Sequence, residues 1–221
     1  MTTRQKAGSV FALGMRVVRL DRTGAPLVGA DNAYVTDNLV RLDFTMNYRE
    51  GEEKERTNGT GRACLYYKAP DTVRGLTVDT LELCYPDPEL EEFLNAGDVL
   101  VDDDGDAVGY AAPEVGTAVA GNGVAIELYS SAIHDDGVDD AFPYIKWLLP
   151  REKLRETGTR SVGPDPIALT YEGTGQQNPN YGSGPWGDWA YESSRVFQWY
   201  RVPTMPDLSA NGLVAVPAPT P

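Results

Sequence analysis

The protein has 221 residues, of which 41% are hydrophobic. This length and composition predict one large domain with a real core, and they exclude a chain that is disordered throughout. Nineteen basic residues against 33 acidic ones give a net charge of −14, which argues against a protein that grips DNA or an anionic membrane through clustered lysine and arginine.

The sequence predicts neither secretion nor a membrane partner. The opening MTTRQKAGSVFALGM has only a short, Gly-broken apolar stretch, unlike a secretory signal. No run approaches the ~18 apolar residues that span a bilayer. Cys64 and Cys84 are the only cysteines and lie in strand-like runs. We therefore expect a protein made in the cytoplasm, with both thiols buried and reduced.

The first half of the chain reads as strands separated by turns. Residues 9–20 and 39–48 are strand-like, with the turn-rich DRTGAPLVGADN between them. Residues 63–68 and 76–85 follow. Alternation in the last run predicts one face made of Leu76, Val78, Thr80, Glu82 and Cys84, and an opposite face made of Thr77, Asp79, Leu81, Leu83 and Tyr85.

A charged segment, REGEEKERTNGTG at residues 49–61, separates two of these strands without one apolar side chain. Connections between strands usually take ~2–5 residues, and longer ones are mostly functional or disordered. The segment adds nothing to a core, so we predict an arm that is disordered in the free subunit.

The clearest helix is PDPELEEFLNAG, at about residues 87–96. Asp87 is a suitable N-cap and Pro88 suits the first helical position. Leu90, Phe93 and Leu94 form an apolar stripe, and Gly97 is predicted to close the helix. A short, one-faced helix of this kind is expected to lie against a sheet.

The rest of the chain predicts more β-structure. DVLVDDDGDAVGY reads as a hairpin with DDDGD at its tip. Further strands are predicted at residues 124–130, 144–149, 167–172 and 196–201. A Gly- and aromatic-rich loop precedes the last of them, and a Pro/Ala-rich C-terminal arm covers residues 206–221. The result is a single domain over residues 1–205, mainly β, with eight to ten strands in a sandwich or partial barrel and one flanking helix.

The sequence offers weak candidates for catalysis or metal binding. His134 lies near Ser130 and Ser131, but no nucleophile-elbow motif surrounds any serine. Two acidic clusters lack the spacing of an EF-hand loop; they are Asp102, Asp103, Asp104 and Asp106, and Asp135, Asp136, Asp139 and Asp140. We therefore predict no catalytic, cofactor or metal site and no enzyme. The lack of a convincing site favours a protein that assembles over one that catalyses a reaction.

Several segments, in order, resemble the major tail tube proteins of long-tailed (siphovirus-type) bacteriophages, especially phages of actinobacteria. The longest is LVRLDFTMNYREGEEKERTNGTGRACLYYKAPDTVRGLTVDTLELCYPDPELEEFL. VGYAAPEVG, FPYIKWLLPREKL and GDWAYESSRVFQWY follow. The resemblance covers roughly residues 5–205 and rests on the order of these segments.

The resemblance implies a structural virion protein. Such proteins form a β-sandwich-like fold with a flanking helix, close into rings that are commonly hexameric, and stack into the tail tube that conducts genomic DNA to the host cell. Partners would be other copies of the chain and tail proteins such as the tape measure and the tail terminator. The arm would contact the neighbouring ring through Arg49, Glu50, Glu52, Glu53, Lys54, Glu55 and Arg56.

A tube that conducts DNA must not bind it, and carboxylates on its inner wall repel phosphates within about 8 Å at physiological salt. The candidates are acids within strands, namely Asp79, Glu82, Glu127 and Glu172, of which at least two are expected to face the lumen. Two other hypotheses stay open. One is a monomeric carbohydrate- or receptor-binding β-sandwich that uses Trp186 and Trp189. The other is a hydrolase with paired acids.

Overall fold

Strands dominate the computed structural model, which describes residues 8–116, 121–134, 137–138, 141–160, 163–164, 167–187 and 194–218. The helix α1 is Pro88–Asn95, and a short 3-10 turn is Leu208–Ala210. The strands are β1 Gly8–Arg19, β2 Gly29–Thr36, β3 Arg41–Arg49, β4 Glu53–Thr57, β5 Ala63–Lys68, β6 Thr72–Leu83, β7 Asp98–Val101, β8 Ala107–Ala111, β9 Val124–His134, β10 Gly137–Val138, β11 Tyr144–Thr157, β12 Leu169–Gly175, β13 Gln198–Val202 and β14 Gly212–Val216.

One large antiparallel sheet runs in the order β14-β2-β1-β9-β11-β12-β6-β3, with β13 beside the first half of β11 and β10 beside β9. The long strand β11 joins the two halves, because its first half pairs with β9 and its second half with β12. A register shift between Leu149 and Glu152, around Pro150, separates these halves, as expected where proline removes a ladder hydrogen bond. The predicted mainly β sandwich with one helix is confirmed, and the strands that the structure describes do not close into a barrel.

The central strands bury both of their faces. On β9, Val124, Ile126 and Leu128 enter the larger core, which also receives side chains from β6, β12 and α1. The alternate residues Ala125 and Glu127 lie on the opposite face, where a smaller cluster forms under the loop around Tyr181. Burial on both faces explains why these strands read as apolar runs.

Helix α1 begins as its sequence predicts. The side chain of Asp87 accepts a hydrogen bond from the backbone N–H of Leu90 at 3.2 Å, and Pro88 is the first helical residue. The predicted C-terminus is wrong by one residue. Ala96 adopts the left-handed conformation (φ 51°) and donates its backbone N–H to Glu92. Gly97 has a packing role instead, because a Cβ there would overlap the Tyr110 ring and the Ala111 carbonyl.

The predicted face of β6 is wrong beyond Val78. Leu76, Val78, Leu81 and Leu83 are all buried, although strict alternation places the last two opposite the first two. The register against β3 and β12 shifts at Asp79, which marks a β-bulge. A bulge adds one residue to one strand and so moves the following side chains to the other face.

Three further expectations differ from the structure. The strand β2, which pairs with β1, begins within the segment predicted as a turn-rich connection and continues beyond it. Both cysteines are exposed, because Cys64 lies on a projecting hairpin and Cys84 follows the end of β6. Part of the predicted C-terminal arm belongs to the domain, because β14 pairs with β2 at the edge of the main sheet.

Candidate interaction surface

The charged segment forms part of a hairpin that stands apart from the main sheet. Among the described strands, β4 and β5 pair only with each other, as a two-stranded sheet. Every residue of both strands is exposed. Within the described part of the chain, the only extensive contact of either strand is with the other. We call residues 50–71 the arm hairpin; its first strand lies in the segment predicted to be disordered.

The tip of the arm hairpin has an ordered turn. The Asn58 side-chain oxygen accepts hydrogen bonds from the backbone N–H of Thr60 and of Arg62, each at 3.0 Å. Gly61 has a φ of 78°, which glycine adopts without steric cost. An asparagine that holds the backbone two residues ahead is a standard turn former. The sequence NGTG therefore encodes a defined turn.

Hydrogen bonds at the base of the arm hairpin join its outgoing and returning segments to each other. The Gly51 N–H donates to the Asp71 carboxylate at 2.9 Å, and the Ala69 N–H donates to the Glu52 carbonyl at 2.9 Å. Gly51 has no space for a side chain, since a Cβ would overlap the Ala69 carbonyl. The two chains of the hairpin therefore leave the sheet side by side.

The two faces of the arm hairpin differ in charge. Directly paired residues of an antiparallel ladder point to the same face. The pairs Lys54–Tyr67 and Arg56–Leu65 therefore form a basic and apolar face. The pairs Glu53–Lys68 and Glu55–Tyr66 form the other face, with two carboxylates and one ammonium.

Large apolar side chains on the arm hairpin have no cover in the single chain. Leu65 and Tyr66 are each 59% exposed, and Tyr67 is 55% exposed. Tyr48 and Val73, at the base, are exposed as well. Leu65 and Tyr67 share one face of the hairpin and Tyr66 lies on the other. Large apolar side chains exposed together on one element mark interaction sites in soluble proteins. Sequence reasoning limited to residues 49–61 missed it, because the apolar residues belong to the returning strand.

Three of the four predicted lumen acids lie on the outer face of the main sheet. Asp79 accepts a hydrogen bond from the Thr45 hydroxyl at 2.7 Å, and Glu82 pairs with Arg41 at 3.0 Å. Glu172 pairs with Arg155, whose Nε donates to it at 2.9 Å. Asp79 and Glu172 line the same shallow depression across β6 and β12. The structure brings these residues together but leaves their relation to a lumen as a prediction.

The fourth acid, Glu127, is not on any surface, so its prediction as a wall residue is wrong. It is 0% exposed and lies within a buried charge cluster. Its carboxylate accepts from Arg16 Nε at 2.7 Å and lies 3.4 Å from the Lys146 ammonium. Cations on both neighbouring strands compensate the cost of burying the carboxylate.

The same cluster fixes the Gly- and aromatic-rich loop against the sheet. The Tyr181 hydroxyl donates to Glu127 at 2.8 Å, and the Arg16 guanidinium lies 3.3 Å from the centre of the Trp186 ring. Nearby, the Asn178 side-chain amide donates to the Gly24 and Pro150 carbonyls. Trp186 thus anchors a loop, and one face of its ring is already covered. Trp189 lies outside the described residues.

Two of the weak chemical candidates, Ser130 and Asp102, have structural partners. The Ser130 hydroxyl is buried, hydrogen-bonds to Ser9 at 2.7 Å and accepts from the Trp147 indole at 3.3 Å. Asp102 accepts from the backbone N–H groups of Asp104 and Asp106, which shapes the tip of the predicted β7–β8 hairpin. The second acidic cluster and the side chain of His134 lie outside the described residues.

No described helix has the length and hydrophobicity needed to cross a membrane. Comparison of the sequence with known protein families and with curated proteins gave no match.

Proposed function

We propose that this protein is a structural subunit of a phage tail tube, in which rings of identical copies stack into a conduit for genomic DNA. The observation that carries the proposal is the arm hairpin, which exposes Leu65, Tyr66 and Tyr67 and makes almost no contact with its own domain. A second copy of the chain is the occupant that would cover these side chains. The resemblance of the sequence to tail tube proteins supports the same function.

The open sheet supports self-assembly independently. β3 and β14 end the main sheet in the described part of the chain, so each has one row of backbone groups without a strand partner. Exposed edges invite pairing with other chains, and a closed ring of copies removes them. A chain of this size cannot enclose a DNA-wide channel alone, because small barrels fill their interiors with side chains.

The charges suit a subunit that binds its copies and lets DNA pass. The basic face of the arm hairpin complements a chain with a net charge of −14. The acids Asp79, Glu82 and Glu172 lie on one exposed face of the sheet, which would face the lumen. The location is the virion tail, and the tape measure and tail terminator would contact the assembled tube.

Negative-stain electron microscopy of the purified protein tests the proposal. We expect rings or tubes from the full chain. Replacing residues 51–70 with a short Gly-Ser turn should leave a folded, soluble subunit that no longer forms tubes, since the hairpin adds nothing to the core. A matched control shortens the β7–β8 hairpin at its Asp102–Asp106 tip and should still assemble. Isolated monomers of the full chain under all assembly conditions would contradict the proposal.

A further inference from the structure

A cleft of about 190 Å³ opens beside the C-terminal end of α1, between β1, the start of β9 and the second half of β11. Its walls are mostly apolar, with Leu27 at the exposed side and Leu94 and Leu154 buried. One water needs only ~10–15 Å³ of such volume, so the cleft has room for an organic group of several heavy atoms.

Glu152, on β11, is one of the residues that line this cleft. It is 0% exposed, and neither of its carboxyl oxygens has a hydrogen-bond partner among the residues that the structure describes. The opposite residue on β12 is Gly175, where a Cβ would overlap the carboxyl group. The chain therefore makes space for this side chain. Burial raises the pKa of Glu152 well above its ordinary value.

The surroundings of Glu152 favour a positively charged ligand. The C-terminal end of α1, which contributes Phe93, Leu94 and Ala96 to the cleft, carries the negative end of the helix dipole. No basic residue lies in the last turn of this helix. Arg19 is the only other charged residue among the described lining residues. Its guanidinium is already engaged, at 2.8 Å from Glu92 and 4.1 Å from the centre of the Phe93 ring.

We propose that this cleft binds an alkylammonium group, with the ammonium on the Glu152 carboxylate and the methylene chain against the leucine walls. Apolar walls around a single buried charge match a short carbon chain that ends in a cation, and they match neither an anion nor a fully hydrated metal ion. The ammonium could belong to a free amine or to a lysine of a second copy; the second source rests on the proposed assembly.

Binding is coupled to the loss of one proton. Burial raises the pKa of the Glu152 carboxyl group and so favours its protonated form. When the ammonium ion enters, it keeps its own protons and the carboxyl proton passes to the buffer. Amine binding is therefore expected to release up to one proton for each amine bound.

Isothermal titration calorimetry with n-butylamine at pH 7, in two buffers of different ionisation enthalpy, tests this site. We expect saturable binding with release of up to one proton. Glu152→Gln, which keeps the size of the side chain, should weaken binding at least 10-fold and abolish proton release. Leu27→Trp should block the cleft with Glu152 intact, and Glu172→Gln is the control that should bind like the original chain. If n-butylamine does not bind, or binds the Glu152→Gln variant equally well, the cleft holds only water and the proposal fails.

Sedimentation velocity distinguishes the two sources of the ammonium group. If n-butylamine binds and also shifts the original chain toward monomer, while the Glu152→Gln variant does not respond, a lysine of a second copy is the natural ligand. If n-butylamine binds without changing sedimentation, the ligand is a free amine. Either result supports the site, and a failure of the chain to self-assemble would remove only the first source.

Discussion

At the scale of single residues, the most informative side chains are buried carboxyl groups with opposite surroundings. Glu127 has Arg16, Lys146 and Tyr181 around it, whereas Glu152 has no hydrogen-bond partner among the described residues. Both lie on central strands and are 0% exposed. Replacing Glu127 by a neutral residue should therefore lower the free energy of unfolding. Replacing Glu152 by a neutral residue should raise it where Glu152 would otherwise have to ionise.

Removing Glu127 should destabilise the protein strongly. Glu127→Ala leaves the Arg16 and Lys146 charges buried without their carboxylate, and breaking a buried pair from one side costs about 3–5 kcal/mol. Urea denaturation should show this loss in the free energy of unfolding. The control Glu172→Ala removes an exposed ion pair and should cost less than about 1 kcal/mol. If Glu127→Ala and Glu172→Ala lower the free energy of unfolding equally, the buried charge cluster contributes no more to stability than an exposed ion pair.

Glu152 should make the protein less stable as the pH rises. Its folded-state pKa is raised, so the folded protein holds more protons than the unfolded chain above the ordinary glutamate pKa. The free energy of unfolding then falls with rising pH, by up to about 1.4 kcal/mol per unit, from about pH 4.5 up to the folded-state pKa. Denaturation of the original chain and of Glu152→Gln at pH 5 and pH 8 measures this, without any added amine.

As the pH rises from 5 to 8, the free energy of unfolding of Glu152→Gln should increase relative to that of the original chain. A stability difference that does not change with pH would mean that Glu152 is ionised in the folded protein.

At the scale of elements, the sequence predicts what is encoded locally. Helix α1 has its cap and its apolar stripe within ten residues, and the DDDGD tip has its own turn former. The bulge at Asp79 depends on pairing with β3 and β12 and has no local signal. Glu127 could not be recognised as buried, because Arg16 and Tyr181 reach it from segments 111 and 54 residues away.

The arm hairpin shows the same division. Its charge and its turn were readable in residues 49–61, but its two unlike faces follow from the pairing of β4 with β5. The apolar patch was not recognised, because Leu65, Tyr66 and Tyr67 read as an ordinary strand of the sheet. These side chains are exposed because β5 lies on the projecting hairpin and not in the main sheet.

Reversing the basic face of the arm hairpin should block assembly without unfolding the subunit. Lys54→Glu with Arg56→Glu replaces two exposed cations by anions on a chain that is already strongly acidic, so like charges would meet at the contact. Tm should change little, while tubes in electron micrographs should be lost. The matched control Glu53→Gln with Glu55→Gln alters the other face and should reduce assembly less.

At the scale of the whole molecule, the proposed conduit depends on an outer sheet face that does not hold DNA. Asp79, Glu82 and Glu172 share that face with Arg41 and Arg155, so the balance of charge there is small and easily reversed. Replacing all three acids by lysine should leave tube formation intact, since the positions are exposed or paired only at the surface.

The lysine variant should bind duplex DNA in a gel-shift assay at low salt, with binding lost as salt rises. Phage particles built with it should eject their genome more slowly. The control places lysine at three exposed acids elsewhere, namely Asp103, Asp104 and Asp106 on the hairpin tip. If phage with lysine at Asp79, Glu82 and Glu172 eject their genome at an unchanged rate, the lumen is lined by another face of the subunit.

The unlike faces of the arm hairpin have a consequence for growth. In the proposed tube, the basic face of each hairpin would contact an acidic surface of the next ring, and stacking by such head-to-tail contacts gives a tube with two chemically distinct ends. One end presents projecting hairpins and the other presents empty acceptor surfaces. Elongation and capping can then be assigned to different proteins, each of which recognises a single end.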